Sequence, residues 1–340
     1  MSSMSRRSDT RKYILAALVI SLGFSIYTAT RPVHDFSSGK PGPQIEFLVA
    51  DGEIGSSIAQ NLAKLGVIKE ASVFVNLAST DKRAVGISPG THKISTHIPA
   101  QQALEELLDR KRFTHMVNIV EGSTLSDVLL LISKDANVVG SASKGAKEVS
   151  PAFKNPRSSL EGQIFPASYT FAQGTSAKDA ITSMVSKFAT VANRVGLTSP
   201  SGKYSPYQVL TIASMVQIEG DESDYAKVAG VIYNRLRIGM ALQLNSTVQY
   251  AAGLRGQIAL STNATKIDSP YNTYKYSGLP PTPISNPGEK AILAALHPAT
   301  HDYLYFITVK PHDTRFTKDY NQFNGWVTEY NKNRQAGLFK

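Results

Sequence analysis

The sequence predicts an α+β protein with an N-terminal transmembrane helix, and three features of the chain support that class. An uncharged apolar run covers residues 13–30, which is long enough to cross a bilayer. A β-α-α-β pattern lies within residues 45–115, and residues 116–340 mix amphipathic helices with short strands and turns. The chain has 340 residues, 42% of them hydrophobic, so it contains enough apolar side chains for two or three domain cores.

Residues 1–12 and 13–30 predict a cytoplasmic tail followed by a single-pass membrane anchor. The tail carries four basic side chains against one acid, Asp9. The apolar run ends Tyr-Thr-Ala-Thr, without the A-x-A-like site of a cleaved signal peptide, so an uncleaved anchor is the favoured interpretation. The positive-inside rule then places the N-terminus in the cytoplasm and everything after residue 30 outside it.

Residues 31–44 are rich in Pro, Gly and Ser and predict a flexible tether. The small domain that follows, residues 45–115, begins with the strand-like segment IEFLVA. Helices are predicted over residues 54–65 and 71–78, and a second strand (THKIS) follows a Pro-Gly turn.

Charge and cysteine content exclude two classes of function. The formal net charge of +10 is spread along the chain instead of clustered, so the sequence does not predict nucleic-acid binding. The chain has no cysteine, so it has no disulfide and no thiol chemistry.

The hydrophobic pattern of residues 116–340 predicts a strand and a helix, an exposed connection, three long helices and a mixed tail. These elements are the strand 116–120, the helix 128–133, the connection 141–159, the helices 177–195, 206–219 and 224–238, and the tail helix 291–296, strand 303–309 and helix 320–331. Ser223 and Gly239 are the predicted caps of the helix over 224–238.

Glu219 is the candidate catalytic residue because it stands at the end of an apolar helical stripe. Val209, Ile212, Val216 and Glu219 fall on one face at helical spacing. Burial and the negative end of a helix dipole would both raise the pKa of this carboxyl, so that it could donate a proton near neutral pH. The alternative is a solvated residue at a helix end. Three other acids follow it, namely Asp221, Glu222 and Asp224.

Other kinds of catalysis find little support in the sequence. None of the seven histidines lies in an H-E-x-x-H helix, and no G-x-S-x-G elbow is present, so no metal or cofactor is expected. A single-carboxylate mechanism, in which a sugar hydroxyl of the substrate is the nucleophile, fits better than the usual pair of acids. A weaker alternative is a hydrolase that pairs Glu219 with one of the three acids after it.

Several motifs around Glu219 resemble those of the YceG-like (MltG) family of endolytic murein transglycosylases. They are the stretch 211–219, the specific run 228–243 (VAGVIYNRLRIGMALQ), Thr247-Val248-x-Tyr250, Ser269-Pro-Tyr-Asn-Thr-Tyr274, Gly278-Leu-Pro-Pro281, Pro283-Ile-Ser-Asn-Pro-Gly288 and Leu296-His-Pro-Ala299. The resemblance covers about residues 45–325.

The resemblance implies a LysM-like domain over 45–115 and a catalytic domain over 116–340. It implies endolytic cleavage of the MurNAc-GlcNAc β-1,4 bond in nascent peptidoglycan, with a 1,6-anhydro end as product and Glu219 as the catalytic acid. Glycan strands are then the substrate, and peptidoglycan synthases are natural partners. The enzyme would sit in the cell membrane with its catalytic domain extracytoplasmic.

Eight polar and aromatic residues are the candidate substrate contacts. They are Gln243, Asn245 and Thr247 in a predicted loop, Tyr271, Asn272 and Tyr274 in an irregular segment, and Ser168 and Tyr169 in a family motif. Residues in loops favour binding, although the tyrosines could equally close the core.

The chain departs from the family pattern close to the candidate acid. The family's E-K-E-T run has Gln217 at its first acid, and its Phe-Pro-Asp-Thr-Tyr and Gln-x-Asp-Pro-Thr motifs have Ala167 and Asn245 at their acids. Further differences are Gly220, Ser246, Thr282 and Phe323. The loss of these acids motivates a rival hypothesis, a catalytically silent, membrane-tethered scaffold that binds peptidoglycan.

Overall fold

A computed structural model describes residues 34–50, 52–114, 116–200, 202–254 and 266–339. The predicted tail and anchor lie outside these residues, and no helix within them is long and apolar enough to cross a bilayer. The described chain forms two compact units that divide between Thr114 and Met116. Helices and small sheets occur in both units, so the predicted mixed α+β class is confirmed.

The first unit is a two-stranded sheet with helices packed against it. Its elements are β1 (Gln44–Val49), α1 (Gly55–Lys64), α2 (Ala71–Thr80), a 3-10 turn (Lys82–Gly86), β2 (Gly90–Ser95), α3 (Ala100–Leu108) and a 3-10 turn (Arg110–Arg112). The strands are antiparallel, with Gln44 opposite Ser95 and Val49 opposite Gly90. The predicted β-α-α-β order is present, and α3 is an additional helix that begins after Pro99.

The second unit is mainly helical, with short strand pairs at its edges. Its elements are β3 (Met116–Asn118), α4 (Leu125–Lys134), β4 (Val138–Val139), α5 (Ala142–Glu148), β5 (Ser168–Thr170), β6 (Thr175–Ser176), α6 (Ala177–Arg194), α7 (Pro206–Glu219), a 3-10 turn (Glu222–Asp224), α8 (Tyr225–Arg237), α9 (Asn245–Ala252), α10 (Glu289–Leu296), β7 (Tyr305–Lys310), β8 (Asp313–Thr317) and α11 (Tyr320–Gln335). β3 pairs antiparallel with β5, β4 parallel with β6, and β7 antiparallel with β8.

Helix α7 is the centre of the second unit's core. Every residue from Val209 to Val216 is buried, as expected for a helix surrounded by other elements. Its start is fixed by a capping box in which the Ser205 hydroxyl accepts from the Gln208 N–H and the Gln208 side chain accepts from the Ser205 N–H. The helix ends at Glu219, so the core determines where this carboxylate lies.

The prediction of an exposed connection over 141–159 is wrong in its first half. Residues 142–148 form α5, whose Ser141 cap accepts a hydrogen bond from the Lys144 N–H. Gly145 of α5 is buried, and a Cβ there would lie 2.8 Å from the Lys178 backbone nitrogen. The small side chains that made the segment look like a linker therefore allow α5 to pack closely on α6.

Two predictions near the candidate acid also change. Ser223 does not cap the helix after Glu219: it lies in a 3-10 turn, and α8 begins at Tyr225 after Asp224. Asn245 and Thr247 lie in helix α9, not in the predicted loop. This helix is only 8 residues long, which is too short for its periodicity to be recognised, and it ends at Gly253 in a left-handed conformation.

Gly230 lets α8 approach the chain at His301. A Cβ at this position would lie 2.5 Å from His301 Nε2 and 2.6 Å from the Ala299 carbonyl oxygen.

We expect Gly230→Ala to lower the free energy of unfolding by about 1–3 kcal/mol, because α8 and the chain at His301 must move apart. The control is Gly325→Ala in α11, where a Cβ meets nothing within 4 Å and which should stabilise the helix by about 0.5–1 kcal/mol. Urea unfolding of both variants measures the difference, and equal effects would contradict the close packing.

Candidate active site

The carboxylate of Glu219 joins the end of α7 to the start of α9. Glu219 is half-buried, and its Oε1 atom accepts a hydrogen bond of 3.2 Å from the Ser246 N–H. The buried Ser246 hydroxyl donates a second, short hydrogen bond to the same oxygen. The interpretation of Glu219 as a solvated helix end is therefore wrong, since its side chain is tied into the fold.

Opposing influences act on the proton affinity of Glu219. Burial has the largest effect and raises the pKa of this carboxyl above its ordinary value. The two hydrogen bonds from Ser246 and the nearby Arg235 charge favour the carboxylate and partly offset burial. The carboxyl also lies between the negative end of the α7 dipole, which raises its pKa, and the positive end of the α9 dipole, which lowers it. The net direction is upward, which favours a group that holds a proton near neutral pH.

Arg235 places a buried positive charge close to the site without touching the carboxylate. Its Nε donates to the Leu304 carbonyl at 2.6 Å, and its Nη1 donates a short hydrogen bond to the Leu242 carbonyl. The guanidinium carbon lies 5.5 Å from the centre of the Tyr305 ring. Arg235 therefore ties α8 to the segments on either side of the site and supplies a fixed charge.

Each of the three acids that follow Glu219 contacts a basic side chain. Asp221 contacts His312 Nδ1 at 3.0 Å, Glu222 contacts Lys290, and Asp224 contacts Lys227 at 3.4 Å. Arg235 pairs with none of them. Each of the three acids thus has a basic partner of its own, which favours Glu219 acting alone.

Three of the predicted contact residues form an exposed polar face beside Glu219. Asn245 Oδ1 accepts a 2.6 Å hydrogen bond from the Tyr274 hydroxyl, and Asn245 immediately precedes Ser246. Burial, and then the charge of Glu219, raise the pKa of Tyr274 to about 12, so its hydroxyl remains a donor. Gln243 is exposed and has a positive φ of 49°, while its N–H donates to the Thr273 carbonyl at 3.0 Å. Such a conformation in a non-glycine residue is often found at functional sites.

Thr247 and Asn272 are buried and hold this face in place. The Thr247 hydroxyl donates to the Leu244 carbonyl at 2.7 Å and lies 2.8 Å from the Thr273 hydroxyl. The Asn272 side chain donates to the Ile267 carbonyl at 2.8 Å and accepts from the Tyr274 N–H at 3.0 Å. Their predicted contact with glycan stays a prediction, and the geometry gives both a positioning role.

Tyr271, which follows α9 in the chain, packs against Tyr250 of that helix. Its hydroxyl lies 2.9 Å from the Thr282 hydroxyl, and its ring centre lies 5.0 Å from that of Tyr250. Tyr250 in turn donates a 3.0 Å hydrogen bond to the buried Glu161. The alternative that this tyrosine closes the core is therefore the better supported one.

Ser168 and Tyr169 lie on strand β5 and bind other residues. The Ser168 hydroxyl donates to the Asn118 side chain at 3.1 Å, and the Tyr169 hydroxyl donates to the Phe165 carbonyl at 2.6 Å. No hydrogen bond of the described residues connects either of them to Glu219 or Asn245. The hydrogen bonds of the described residues thus do not link all eight candidate residues into one network.

Gln217, which replaces a family acid, has a structural role. Its side-chain carbonyl accepts from the Gly288 N–H at 2.9 Å, and its amide nitrogen donates to the Tyr225 hydroxyl at 2.7 Å. These contacts tie α7 to α8 and to the start of α10. Gln217 is therefore engaged with these two residues, and neither of its hydrogen bonds involves Glu219.

The sequence analysis missed Ser246 as a site residue. It lies between two candidates, but its importance depends on its place in the first turn of α9, which the analysis took for a loop. Within the described residues there is no cluster of His, Asp and Glu that could hold a metal ion.

Comparison with known proteins relates this chain to one protein family. The model of the YceG-like family matches residues 47–329. An endolytic murein transglycosylase of Bacillus subtilis (strain 168) is 31% identical over 302 residues, which is 83% of each chain. One from Streptococcus pneumoniae (strain D39) is 39% identical over 153 residues, or 44% of this chain and 28% of that protein. The crystal structure of a YceG-like protein from Listeria monocytogenes matches with a TM-score of 0.55 at 28% identity, covering 83% of this chain and 98% of that one.

We expect Arg235→Lys to destabilise the protein by about 2 kcal/mol, because a lysine cannot satisfy both carbonyls that the guanidinium now binds. The matched control is Arg237→Lys on the exposed side of the same helix, which should change stability by less than about 0.5 kcal/mol. Thermal and urea unfolding give both values. A similar small effect at the two positions would show that the buried contacts of Arg235 contribute little.

Proposed function

This chain belongs to the YceG-like family, and we propose on that premise that Glu219 is the acid and base of a peptidoglycan-cleaving lytic transglycosylase. The relatives named endolytic murein transglycosylases supply the reaction class. The observation that carries the role of Glu219 is its half-buried carboxyl, bound through one oxygen to Ser246 and with a raised pKa. Such a group can act as a proton donor and then as an acceptor.

In this mechanism the neutral Glu219 donates its proton to the glycosidic oxygen between MurNAc and GlcNAc while the bond from MurNAc C1 to that oxygen breaks. The resulting carboxylate takes the proton of the MurNAc 6-hydroxyl, whose oxygen bonds to C1 and closes a 1,6-anhydro ring. Glu219 is then protonated again, and no water is consumed. One carboxyl suffices because the substrate supplies the nucleophile, which agrees with the engagement of the neighbouring acids elsewhere.

Gln243, Asn245 and Tyr274 are the proposed glycan contacts next to the acid. They are exposed, and they combine amide and hydroxyl groups with an aromatic ring. The Tyr274 hydroxyl binds Asn245, the residue before Ser246. Amides can bind sugar hydroxyls and N-acetyl groups, while a tyrosine can pack against a sugar ring.

The segments before the second unit suit an enzyme that acts on the cell wall while anchored in the membrane. We propose that residues 13–30 anchor it, that 31–44 are a tether, and that the first unit is a LysM-like module that binds glycan outside the cytoplasm. Cleavage would then occur on nascent strands near the membrane, where peptidoglycan synthases are natural partners. The hydrogen-bonded, half-buried carboxyl of Glu219 favours this enzyme over the silent scaffold, despite the loss of acids at Ala167 and Asn245.

We expect Glu219→Gln to reduce cleavage of uncrosslinked glycan strands by about 10²- to 10⁴-fold, because the amide can neither donate nor accept the catalytic proton. Its Oε1 can still accept from Ser246, so the fold should be kept. The control is Glu222→Gln, an exposed acid three residues away, which should retain activity. Mass spectrometry of the products should show 1,6-anhydro ends. Reducing ends, or full activity in Glu219→Gln, would exclude the mechanism, and strand binding without new ends in the wild type would support the scaffold.

We expect Gln243→Ala to raise KM for glycan strands about 5- to 10-fold, the loss of roughly one hydrogen bond to substrate. The comparison is Ser168→Ala, a predicted contact that the structure places on β5, for which we expect less than a twofold change. Steady-state kinetics on strands of defined length measure both. An equal loss in Ser168→Ala would show that the substrate also covers β5, and no loss in Gln243→Ala would remove this residue from the binding face.

A further inference from the structure

We propose that Ser246 is a positioning residue that distinguishes the two oxygens of Glu219, fixing Oε1 as an acceptor and leaving Oε2 to carry and recover the catalytic proton. This inference rests on the proposed acid-base role of Glu219 and adds to it which oxygen acts and what selects it.

The first argument is the geometry of the donors. Both the N–H and the hydroxyl of Ser246 point to Oε1, and among the described residues none donates a hydrogen bond to Oε2. In a neutral carboxyl one oxygen carries the proton and the other is a carbonyl-type acceptor. Two donors at Oε1 disfavour a proton there, so the proton resides on Oε2.

The second argument is that Ser246 is held in place by the rest of α9. The N–H of Ser246 belongs to the first turn of this helix, where it has no partner within the helix and is free to bind Glu219. One residue on, Thr247 binds the Leu244 carbonyl at 2.7 Å. One turn on, Tyr250 binds the buried Glu161 at 3.0 Å. The two donors are therefore fixed before any substrate arrives, which is what a positioning residue requires.

The third argument concerns charge. Among the described residues, the ionisable groups that face Glu219 are Arg235 from α8 and Tyr274 from the segment after α9, and Tyr305 of β7 faces Arg235. Arg235 acts from a distance because its donors bind carbonyl oxygens. Among the described residues, Ser246 is thus the direct hydrogen-bond partner of the carboxyl. Loss of its hydroxyl should raise the pKa of Glu219 further, because that hydrogen bond favours the charged form.

The test compares Ser246→Ala with Ser246→Thr in the full-length protein in detergent. The pKa of Glu219 is read from the ¹³C carboxyl signal of Glu-labelled protein, and the Glu219→Gln variant assigns that signal. For Ser246→Ala we expect the pKa to rise by about one unit, as for the loss of one hydrogen bond to a charged group. A general acid must be protonated, so the alkaline limb of kcat/KM should move to higher pH by the same amount. We expect kcat to fall about 10-fold, since a misplaced acid is slower, with little change in KM.

Ser246→Thr keeps the hydroxyl and should restore both the pKa and the rate. Ser246→Pro is a second variant that removes both donors at a helix start that tolerates proline, and it should raise the pKa beyond that of Ser246→Ala. An unchanged Glu219 titration in Ser246→Ala or Ser246→Pro would overturn the inference and reduce Ser246 to a packing role. Activity retained in Glu219→Gln would instead overturn the proposed function, and the NMR titration would still decide the effect of Ser246 on the carboxyl.

Discussion

The fold of the second unit depends on a central constraint: helix α7, which is buried over eight consecutive residues, ends in a carboxyl group that must be accommodated. The eight consecutive buried residues before it fix the helix in the core, so Glu219 cannot move away from its surroundings. A buried carboxylate without partners is costly, and the first turn of α9 supplies two donors to one of its oxygens. The fixed charge of Arg235 lies behind them. Helix α9 thus contributes the hydrogen bonds to Glu219, and helix α8 contributes the nearby positive charge.

Buried polar side chains hold the long irregular segments that complete the site. Asn286 accepts from the Ile164 N–H at 3.0 Å and donates to the Ser123 carbonyl at 2.9 Å, so that three distant parts of the chain meet at one side chain. Asn234 does the same for the chain after α10 by donating to the carbonyls of His301 and Tyr303. Segments without regular structure have backbone groups to satisfy, and amide side chains satisfy several at once. Such hydrogen bonds hold the segments without regular structure against the core.

The sequence analysis was most accurate where a long periodic pattern coincided with a strong boundary signal. Helix α7 begins at Pro206 and ends at Glu219 as predicted, because a capping box, a proline in the first turn and a following glycine agree with the apolar spacing. It failed at α5 and α9, which have 7 and 8 residues. Such short helices depend on tertiary packing more than on their own sequence preferences. Because these helices are so short, residues 141–159 were predicted to be a connection and Asn245 was predicted to lie in a loop.

By itself, the sequence determined the identity of the candidate acid and the family, because the carboxyl at the end of the apolar stripe and the motif from 228 to 243 are local features. It could not determine which of the eight candidate contacts lie together. Only the tertiary structure bound Ser168 to Asn118, buried Thr247, and paired Ser246 with Glu219 across 27 residues of sequence. Hydrogen-bond partners are decided by how elements pack in space, and spacing along the chain does not record that packing.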